Sequence, residues 1–175
     1  MATSIDRVPV RGTWFRQAAA GLDPLALRQP PGDGRWQRGD VVAATYLADS
    51  EQTVWAEWYR ALAEVALPPR AWLPCDLWRV EVDVTEIADL SDGRRLRELG
   101  LEPPRPGRGD WGPYQALGER LFDQGCRGLI APSAARPEGR ALCLFRPTAD
   151  LPGVRPAGRP RRVEEPPAPP RGLRT

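Results

Sequence analysis

One carboxylate of the chain stands among aromatic residues, in the stretch WAEW, where Glu57 lies one position from Trp58 and two from Trp55. A carboxylate in such company either faces solvent from a helix surface or is placed in a site. In a site it can transfer a proton, or stabilise positive charge that develops during a reaction. The elements around Glu57 and the residue types available elsewhere bear on which interpretation applies.

The set of basic residues limits the possible chemistry. All 25 basic residues are arginine, and the chain contains no lysine and no histidine. This excludes Ser-His-Asp and Cys-His nucleophile systems, histidine-ligated zinc, Schiff-base lysines and the phosphate loop that ends in Lys-Ser/Thr. Acid and base roles are left to carboxylates, tyrosine, cysteine or water. Arginine-only usage fits a GC-rich coding bias, yet arginines remain good forks for phosphate, so phosphate-bearing substrates stay open.

The length of the chain favours a single domain, and its small net charge gives no sign of a surface for nucleic acid or membranes. The chain has 175 residues and a net charge of +2, so we expect neither strong nucleic-acid binding nor membrane association. No apolar run approaches the roughly 18 to 20 residues that span a bilayer, and the N-terminal stretch lacks a signal-peptide core, which predicts a cytoplasmic protein. Cysteines 75, 126 and 143 form no disulfide or metal pattern, so we expect reduced and mostly buried thiols.

A strand and a helix are predicted to carry Glu57. Residues 41–48 form a continuous apolar run typical of a buried strand, and Asp49 with Ser50 offers N-cap residues; with Asp49 as cap, Gln52 falls at the capping-box position. An apolar stripe at three- and four-residue spacing then predicts a helix to about residue 66, before Pro68 and Pro69. The stripe consists of Val54, Trp55, Trp58, Tyr59, Leu62 and Val65.

The remaining pattern predicts alternating strands and helices around this unit. Strands are expected at 13–19, 76–84, 127–133 and 141–147, and helices at 91–100 and 113–124. Glu81 and Asp83 share one face of the strand at 76–84 and are interpreted as a solvated face rather than a metal or acid-base pair. Residues 1–150 are assigned to the folded domain. Residues 151–175 contain seven prolines and are predicted to be a disordered Pro/Arg-rich tail.

Three stretches together carry a resemblance to a known family. GDGRWQRGD, ATYLADSEQTVWAEW and DWGPYQALGERLFDQGCRGLIAPSAARPEGRALCLF resemble the RES domain family, named for an arginine, a glutamate and a serine, over about residues 13–147. Members are toxins of bacterial toxin-antitoxin modules that consume NAD or transfer ADP-ribose, and their partner is an Xre-type helix-turn-helix antitoxin. The resemblance implies an α+β fold in a single domain, with an ADP-ribosyltransferase-like mixed sheet core and flanking helices.

The resemblance also implies a set of site residues. It assigns catalytic roles to Arg35, Glu57 and Ser133, and NAD-binding roles to Arg16, Tyr46 and Trp36. Ser133 would either hydrogen-bond the ligand or orient Glu57. The family commonly has two adjacent glycines before the arginine and an asparagine after the tryptophan. Here Asp33 separates the glycines and Gln37 follows the tryptophan, so the loop is expected to differ in shape.

The implied function is that of a type II toxin that cleaves the nicotinamide-ribose bond of NAD, as a glycohydrolase or phosphorylase, and depletes the NAD pool. This chemistry requires a carboxylate near the ribose, cationic forks near the pyrophosphate and an aromatic wall for the nicotinamide. NAD is then the substrate, and no further cofactor or metal is expected. Two alternatives stay open: a protein ADP-ribosyltransferase, and a catalytically silent RES-like binding or regulatory protein. The antitoxin is the expected partner in a joint assembly.

Overall fold

A mixed sheet flanked by helices forms the fold of residues 5–175, the part of the chain that the computed structural model describes. The first four residues of the predicted domain 1–150 lie outside the described residues. In chain order the strands are β1 (Arg7–Ala19), β2 (Ala43–Ala48), β3 (Cys75–Asp89), β4 (Gly128–Pro132), β5 (Arg140–Arg146), β6 (Val154–Pro156) and β7 (Arg161–Val163). The helices are α1 (Glu51–Glu64), α2 (Gly93–Glu98) and α3 (Trp111–Asp123), with a short 3-10 helix at Pro69–Trp72.

The strand pairings form a closed circuit. β1 pairs with β2, β2 with β5, β5 with β4 and β4 with β3, and β3 pairs back with β1. The β3–β4 pairing is parallel and the others in the circuit are antiparallel. The predicted α+β single domain with a mixed sheet and flanking helices is therefore confirmed.

Strands β1 and β3 are both longer than predicted, because they stabilise each other through polar cross-strand pairs that an apolar pattern does not show. Their register runs from Arg7 opposite Ala88 to Ala19 opposite Cys75. Glu81 accepts a hydrogen bond from Thr13 Oγ1 at 2.7 Å. Asp83 lies on the exposed face and pairs with Arg11, so the two carboxylates serve the sheet surface.

Helix α1 begins where the sequence predicts, and one of the two N-cap candidates is its cap. Ser50 is the N-cap, and its hydroxyl accepts a hydrogen bond from the Thr53 N–H at 3.2 Å. Of the two N-cap candidates Ser50 is therefore the cap, and Asp49 instead accepts a hydrogen bond from the Thr53 hydroxyl at 2.8 Å. The helix buries the predicted aromatic stripe through Trp55 and Trp58. No helix within residues 5–175 has the length and apolar character needed to cross a membrane.

The cysteine prediction is confirmed. All three cysteines are free thiols and all three are buried. Burial raises the pKa of the Cys143 thiol to about 12, while a hydrogen bond with Tyr46 has the opposite, smaller effect. A thiol with a raised pKa is a poor nucleophile at neutral pH. Cys143 therefore serves as a small core residue.

The C-terminal prediction is wrong, because residues after Asp150 contain two strands. β6 pairs with β3 through Val154–Pro156, and β7 pairs with β3 through Arg161–Val163. Proline is compatible with such short edge strands, since an outward-facing position needs no backbone donor. Arg162 donates to the buried carboxylate of Asp76 at 2.5 Å, and this hydrogen bond lowers the pKa of Asp76. The fold extends at least to Val163, which is itself buried.

Because β6 and β7 belong to the sheet, a truncation that removes them should lower the stability of the fold. A chain ending at Asp150 leaves Asp76 buried without its arginine and uncovers the face of β3 that Val163 packs against. We expect its melting temperature to fall by roughly 5 to 10 °C, from a loss of about 2 to 3 kcal/mol in a domain of this size. A chain ending at Glu165 keeps both strands and is the matched control. Equal melting temperatures for the two truncated chains would show that β6 and β7 add no stability.

Candidate functional site

A cavity of about 380 Å³ lies between the strands β1 and β2, helix α1 and the loops around residues 33–36 and 104–111. Five of the six predicted site residues line it: Arg16, Arg35, Trp36, Tyr46 and Glu57. Ser133 lies immediately behind the wall, between the lining residues Pro132 and Ala134. The fold therefore brings together residues that are up to 117 positions apart in the chain.

The carboxylate of Glu57 is held at both oxygens. Oε1 accepts a hydrogen bond from Ser133 Oγ at 2.5 Å and a longer one from the Ala135 N–H at 3.4 Å. Oε2 accepts from Arg60 Nε at 2.8 Å. These contacts come from two sides, one from the helix and one from the β4–β5 connection, and they fix the orientation of the carboxylate. Glu57 is a placed residue of the cavity wall and not a solvated helix-face residue.

Ser133 donates a hydrogen bond to Glu57, the contact that the second of its two predicted roles requires. Only 1% of the residue is exposed, so its hydroxyl does not face the open cavity. While Oγ donates to Glu57, it accepts from the Ala135 N–H at 3.2 Å and from the Arg136 N–H at 3.1 Å. Two backbone donors at the oxygen direct the hydroxyl proton towards the carboxylate. The serine thus links the backbone of its loop to the side chain of Glu57.

Arg60 is a cavity residue that the sequence prediction missed. Its guanidinium bridges Glu57 and Glu64, with Nε on Glu57 and Nη1 on Glu64. Burial acts to lower the pKa of Arg60, but the two carboxylates outweigh it and the pKa is raised. The 57, 60, 64 spacing places all three on one helical face and is the signal that identifies Arg60. The arginine stabilises Glu57 in its position through charge as well as geometry.

Arg16 contributes a cation without a carboxylate partner. Nη1 donates to the backbone carbonyl of Tyr46 at 3.2 Å, and no carboxylate of residues 5–175 lies within ion-pair distance of its guanidinium. Burial lowers the pKa of Arg16 to about 10, and the neighbouring Arg146 acts in the same direction. The more distant carboxylate of Asp23 acts in the opposite direction. A desolvated cation without a carboxylate in ion-pair contact gains free energy from an anionic ligand. Arg16 is therefore a candidate anion-binding group of the cavity.

Arg35 is committed to protein partners in this structure. Its Nη1 donates to Asp110 at 3.1 Å, and its Nη2 donates to the backbone carbonyls of Arg105 at 2.5 Å and Gly107 at 3.2 Å. The guanidinium also lies 5.8 Å from the Trp111 ring centroid. These contacts fix the loop of residues 105–111 at one side of the cavity. The guanidinium of Arg35 is thus occupied by protein acceptors, whereas that of Arg16 has a single backbone acceptor.

The turn that presents Arg35 is built on Tyr46 and Gln37. The Gly34 N–H donates to the Gln37 carbonyl at 2.9 Å and closes the turn. Tyr46 donates its hydroxyl proton to Gln37 Oε1 at 2.7 Å, and the Gln37 amide donates to the Gly32 carbonyl at 3.0 Å. Burial raises the pKa of Tyr46 well above its ordinary range. Gln37, a departure from the family pattern, is thus the buried residue that holds the turn and the tyrosine together.

Trp36 belongs to the core more than to the cavity. The residue is 2% exposed, and its ring packs edge-on against Tyr114 with the ring centroids 5.3 Å apart. This burial argues against the predicted role as an aromatic wall for a ligand. Other rings line the cavity instead, from Phe15, Trp111 and Trp72, and 40% of Trp72 is exposed. Trp72 does not belong to a repeating apolar pattern in the sequence, so its place at the cavity could not be predicted from the sequence.

Comparisons with known proteins bear on this site. The family model described as RES domain matches residues 5–163. The NAD(+) phosphorylase MbcT of Mycobacterium tuberculosis is 29% identical over 139 residues, which cover 74% of this chain and 75% of that protein. MbcT of Mycobacterium bovis matches with the same identity and coverage. The crystal structure of the M. tuberculosis MbcT–MbcA toxin-antitoxin complex superposes with a TM-score of 0.77 at 24% identity over 90% of this chain and 87% of the other, which shows a shared fold.

The turn before Arg35 generates a test of this geometry. A Cβ on Gly34 would collide with the Tyr46 hydroxyl and the Gln37 amide, whereas a Cβ on Gly32 would meet no atom within 4 Å. We expect Gly34→Ala to destabilise the protein by about 1 to 3 kcal/mol, the usual range for overpacking, and Gly32→Ala to have little effect. Denaturant unfolding of both variants measures the difference. Equal stabilities would mean that the turn does not depend on close approach of Tyr46.

Proposed function

Because the chain belongs to the RES domain family, we propose that it is an NAD-consuming toxin of a bacterial toxin-antitoxin module. The observation that carries the proposal is the carboxylate of Glu57, held at both oxygens in a cavity with an unpaired arginine and several aromatic rings. Such a cavity meets the three needs of nicotinamide-ribose cleavage. NAD is its substrate, and the cytoplasm, where NAD is present, is its proposed location.

The proposed reaction breaks the bond between the nicotinamide nitrogen and the ribose carbon. The bonding electron pair leaves with nicotinamide, which becomes neutral, and positive charge develops on the ribose. Glu57 stabilises this charge electrostatically, and its fixed orientation means that little reorganisation is needed as the charge forms. Arg16 binds the pyrophosphate, and Arg35 fixes the loop of residues 105–111 that closes one side of the cavity.

The preferred acceptor is inorganic phosphate. The relative MbcT is named an NAD(+) phosphorylase, and a phosphate oxygen attacking the ribose carbon would give a phosphorolysis product instead of free ADP-ribose. Water as acceptor gives a glycohydrolase, and a protein side chain gives an ADP-ribosyltransferase. Among residues 5–175, no three histidine, cysteine or acidic side chains are grouped as metal ligands would be. The proposed roles are assigned to Glu57, the arginines and the aromatic rings, because these side chains line the cavity.

The finer fold assignment is part of the proposal. An ADP-ribosyltransferase-like relationship is supported by an arginine on β1, a tyrosine on β2 and a glutamate on the adjoining helix, which meet in one cleft of a mixed sheet. The corresponding partner is an Xre-type helix-turn-helix antitoxin. MbcT was crystallised with the antitoxin MbcA, and by analogy we propose that an antitoxin covers the cavity in a joint assembly.

The substitution Glu57→Gln tests the catalytic role. The amide keeps the size of the side chain and removes its charge, so we expect NAD turnover to fall on the order of 10²-fold or more. Release of nicotinamide from NAD by the purified protein, with and without orthophosphate, measures the effect and identifies the acceptor. The matched control is Glu51→Gln on the same helix, exposed and outside the cavity. Turnover of Glu57→Gln within about twofold of the wild type would rule out the assignment.

Expression in bacteria tests the toxin proposal separately. We expect wild-type expression to stop growth, because loss of NAD halts redox metabolism, and co-expression of the proposed Xre-type antitoxin to restore it. Growth curves and cellular NAD content provide the measurement, with Glu57→Gln expression as the harmless control. Normal growth with folded, abundant wild-type protein would favour the catalytically silent alternative.

A further inference from the structure

The last ten residues of the chain, 166–175, form an ordered segment that we call the C-terminal strap. Most of its side chains are exposed, and it has no helix or strand of its own. It crosses two elements in turn, helix α1 and the loop of residues 133–139, which we call the serine loop. The RES domain match ends at residue 163, so the strap lies beyond the part of the chain that the family model describes.

The strap is attached to α1 near the cavity. The hydroxyl of Tyr59 donates a hydrogen bond to the backbone carbonyl of Pro167. Tyr59 packs edge-on against Trp58, with the ring centroids 5.0 Å apart, and Trp58 lines the cavity. Tyr59 is two positions from Glu57 on the same helix. The first attachment of the strap is therefore to the helix that carries the proposed catalytic carboxylate.

The strap is also attached to the serine loop at two points. The Arg174 N–H donates to the Ala135 carbonyl at 2.7 Å, and Arg136 Nε donates to the Arg171 carbonyl at 3.3 Å. Gly172 has a φ of +77°, and a Cβ there would collide with the carboxylate of Glu138. The strap uses backbone groups at both points, so its fit depends on conformation more than on apolar burial.

These contacts meet at the residues that orient Glu57. The Ala135 and Arg136 amides hold the Ser133 hydroxyl, and that hydroxyl donates to the Glu57 carboxylate. We propose that the C-terminal strap is a positioning segment of the active site, which fastens the serine loop to α1 and so keeps Ser133 on Glu57. This inference rests on the proposed function for its kinetic consequence, while its structural part stands independently.

Two alterations separate the strap from the rest of the fold. The chain ending at Glu165 removes the strap and keeps β6 and β7. Arg174→Pro removes the backbone donor to Ala135 together with the arginine side chain, and Arg174→Ala, which loses the same side chain and keeps that donor, is the matched control. Circular dichroism and melting temperature establish that each variant is folded.

The structural test is hydrogen-deuterium exchange of the serine loop. We expect the backbone amides of the serine loop, apart from Pro137, to exchange faster in the truncated chain and in Arg174→Pro than in the wild type and Arg174→Ala. The loop then loses its contacts with the strap and keeps only its direct hydrogen bonds to α1. Unchanged protection of these amides in both altered proteins would overturn the proposal. This measurement does not depend on any enzymatic activity, so it decides the strap's structural role even if the protein does not consume NAD.

The kinetic test uses NAD turnover and the substitution Ser133→Ala. Loss of the strap should lower kcat roughly threefold to tenfold, the effect of one weakened hydrogen bond, and leave KM nearly unchanged because the Arg16 region is untouched. In a Ser133→Ala background the same truncation should have little further effect, since the strap acts through that serine. An equal loss of kcat in both backgrounds, or a change confined to KM, would contradict positioning of Glu57 through the serine loop.

Discussion

The hydrogen bond between Ser133 and Glu57 is the contact on which the arrangement of the cavity depends. It joins helix α1 to the connection between β4 and β5. Without it the carboxylate would have Arg60 as its main partner and would follow the helix surface. With it, Glu57 is fixed between a cation on its own helix and a hydroxyl held by backbone amides, and it stays at the cavity wall.

Three arginines around this contact have different roles, and each role follows from the hydrogen-bond acceptors of the guanidinium. Arg60 lies between two carboxylates and stabilises the position of one of them. Arg35 is bonded to a loop and shapes the wall. Among the residues that the structure describes, Arg16 has no carboxylate in ion-pair contact, and burial lowers its pKa. In a chain without lysine or histidine, the acceptors around each guanidinium distinguish the arginines that hold the structure from those that face the cavity. This supports the proposal that an anionic group of the ligand lies beside Arg16 and the reacting bond lies nearer Glu57.

Sequence patterns were sufficient for the local elements but not for contacts that join distant parts of the chain. The aromatic stripe and the stop at Pro68 predicted α1, and the apolar runs predicted β2, β4 and β5, because these depend on neighbouring residues. The true length of β3 depends on pairing with β1, whose paired residues lie 56 to 81 positions earlier, and the alternating pattern in the sequence ended before the strand does. The family resemblance located Glu57 and Ser133, yet only the structure shows that the serine acts on the glutamate.

The C-terminal segment shows why composition is a poor guide when backbone groups make the contacts. Its prolines and charged residues are typical of disordered chains, since they offer little apolar surface. The segment nevertheless has a defined partner at several points along its length. Arg162 donates a hydrogen bond to Asp76, the Pro167 carbonyl accepts one from Tyr59, and the Arg174 N–H donates one to the Ala135 carbonyl. None of these contacts needs an apolar side chain. Val163 belongs to the core, whereas the strap that follows it at residues 166–175 contributes no buried apolar residue. The proposed effect of the strap on the orientation of Glu57 is therefore separable from the effect of β6 and β7 on folding.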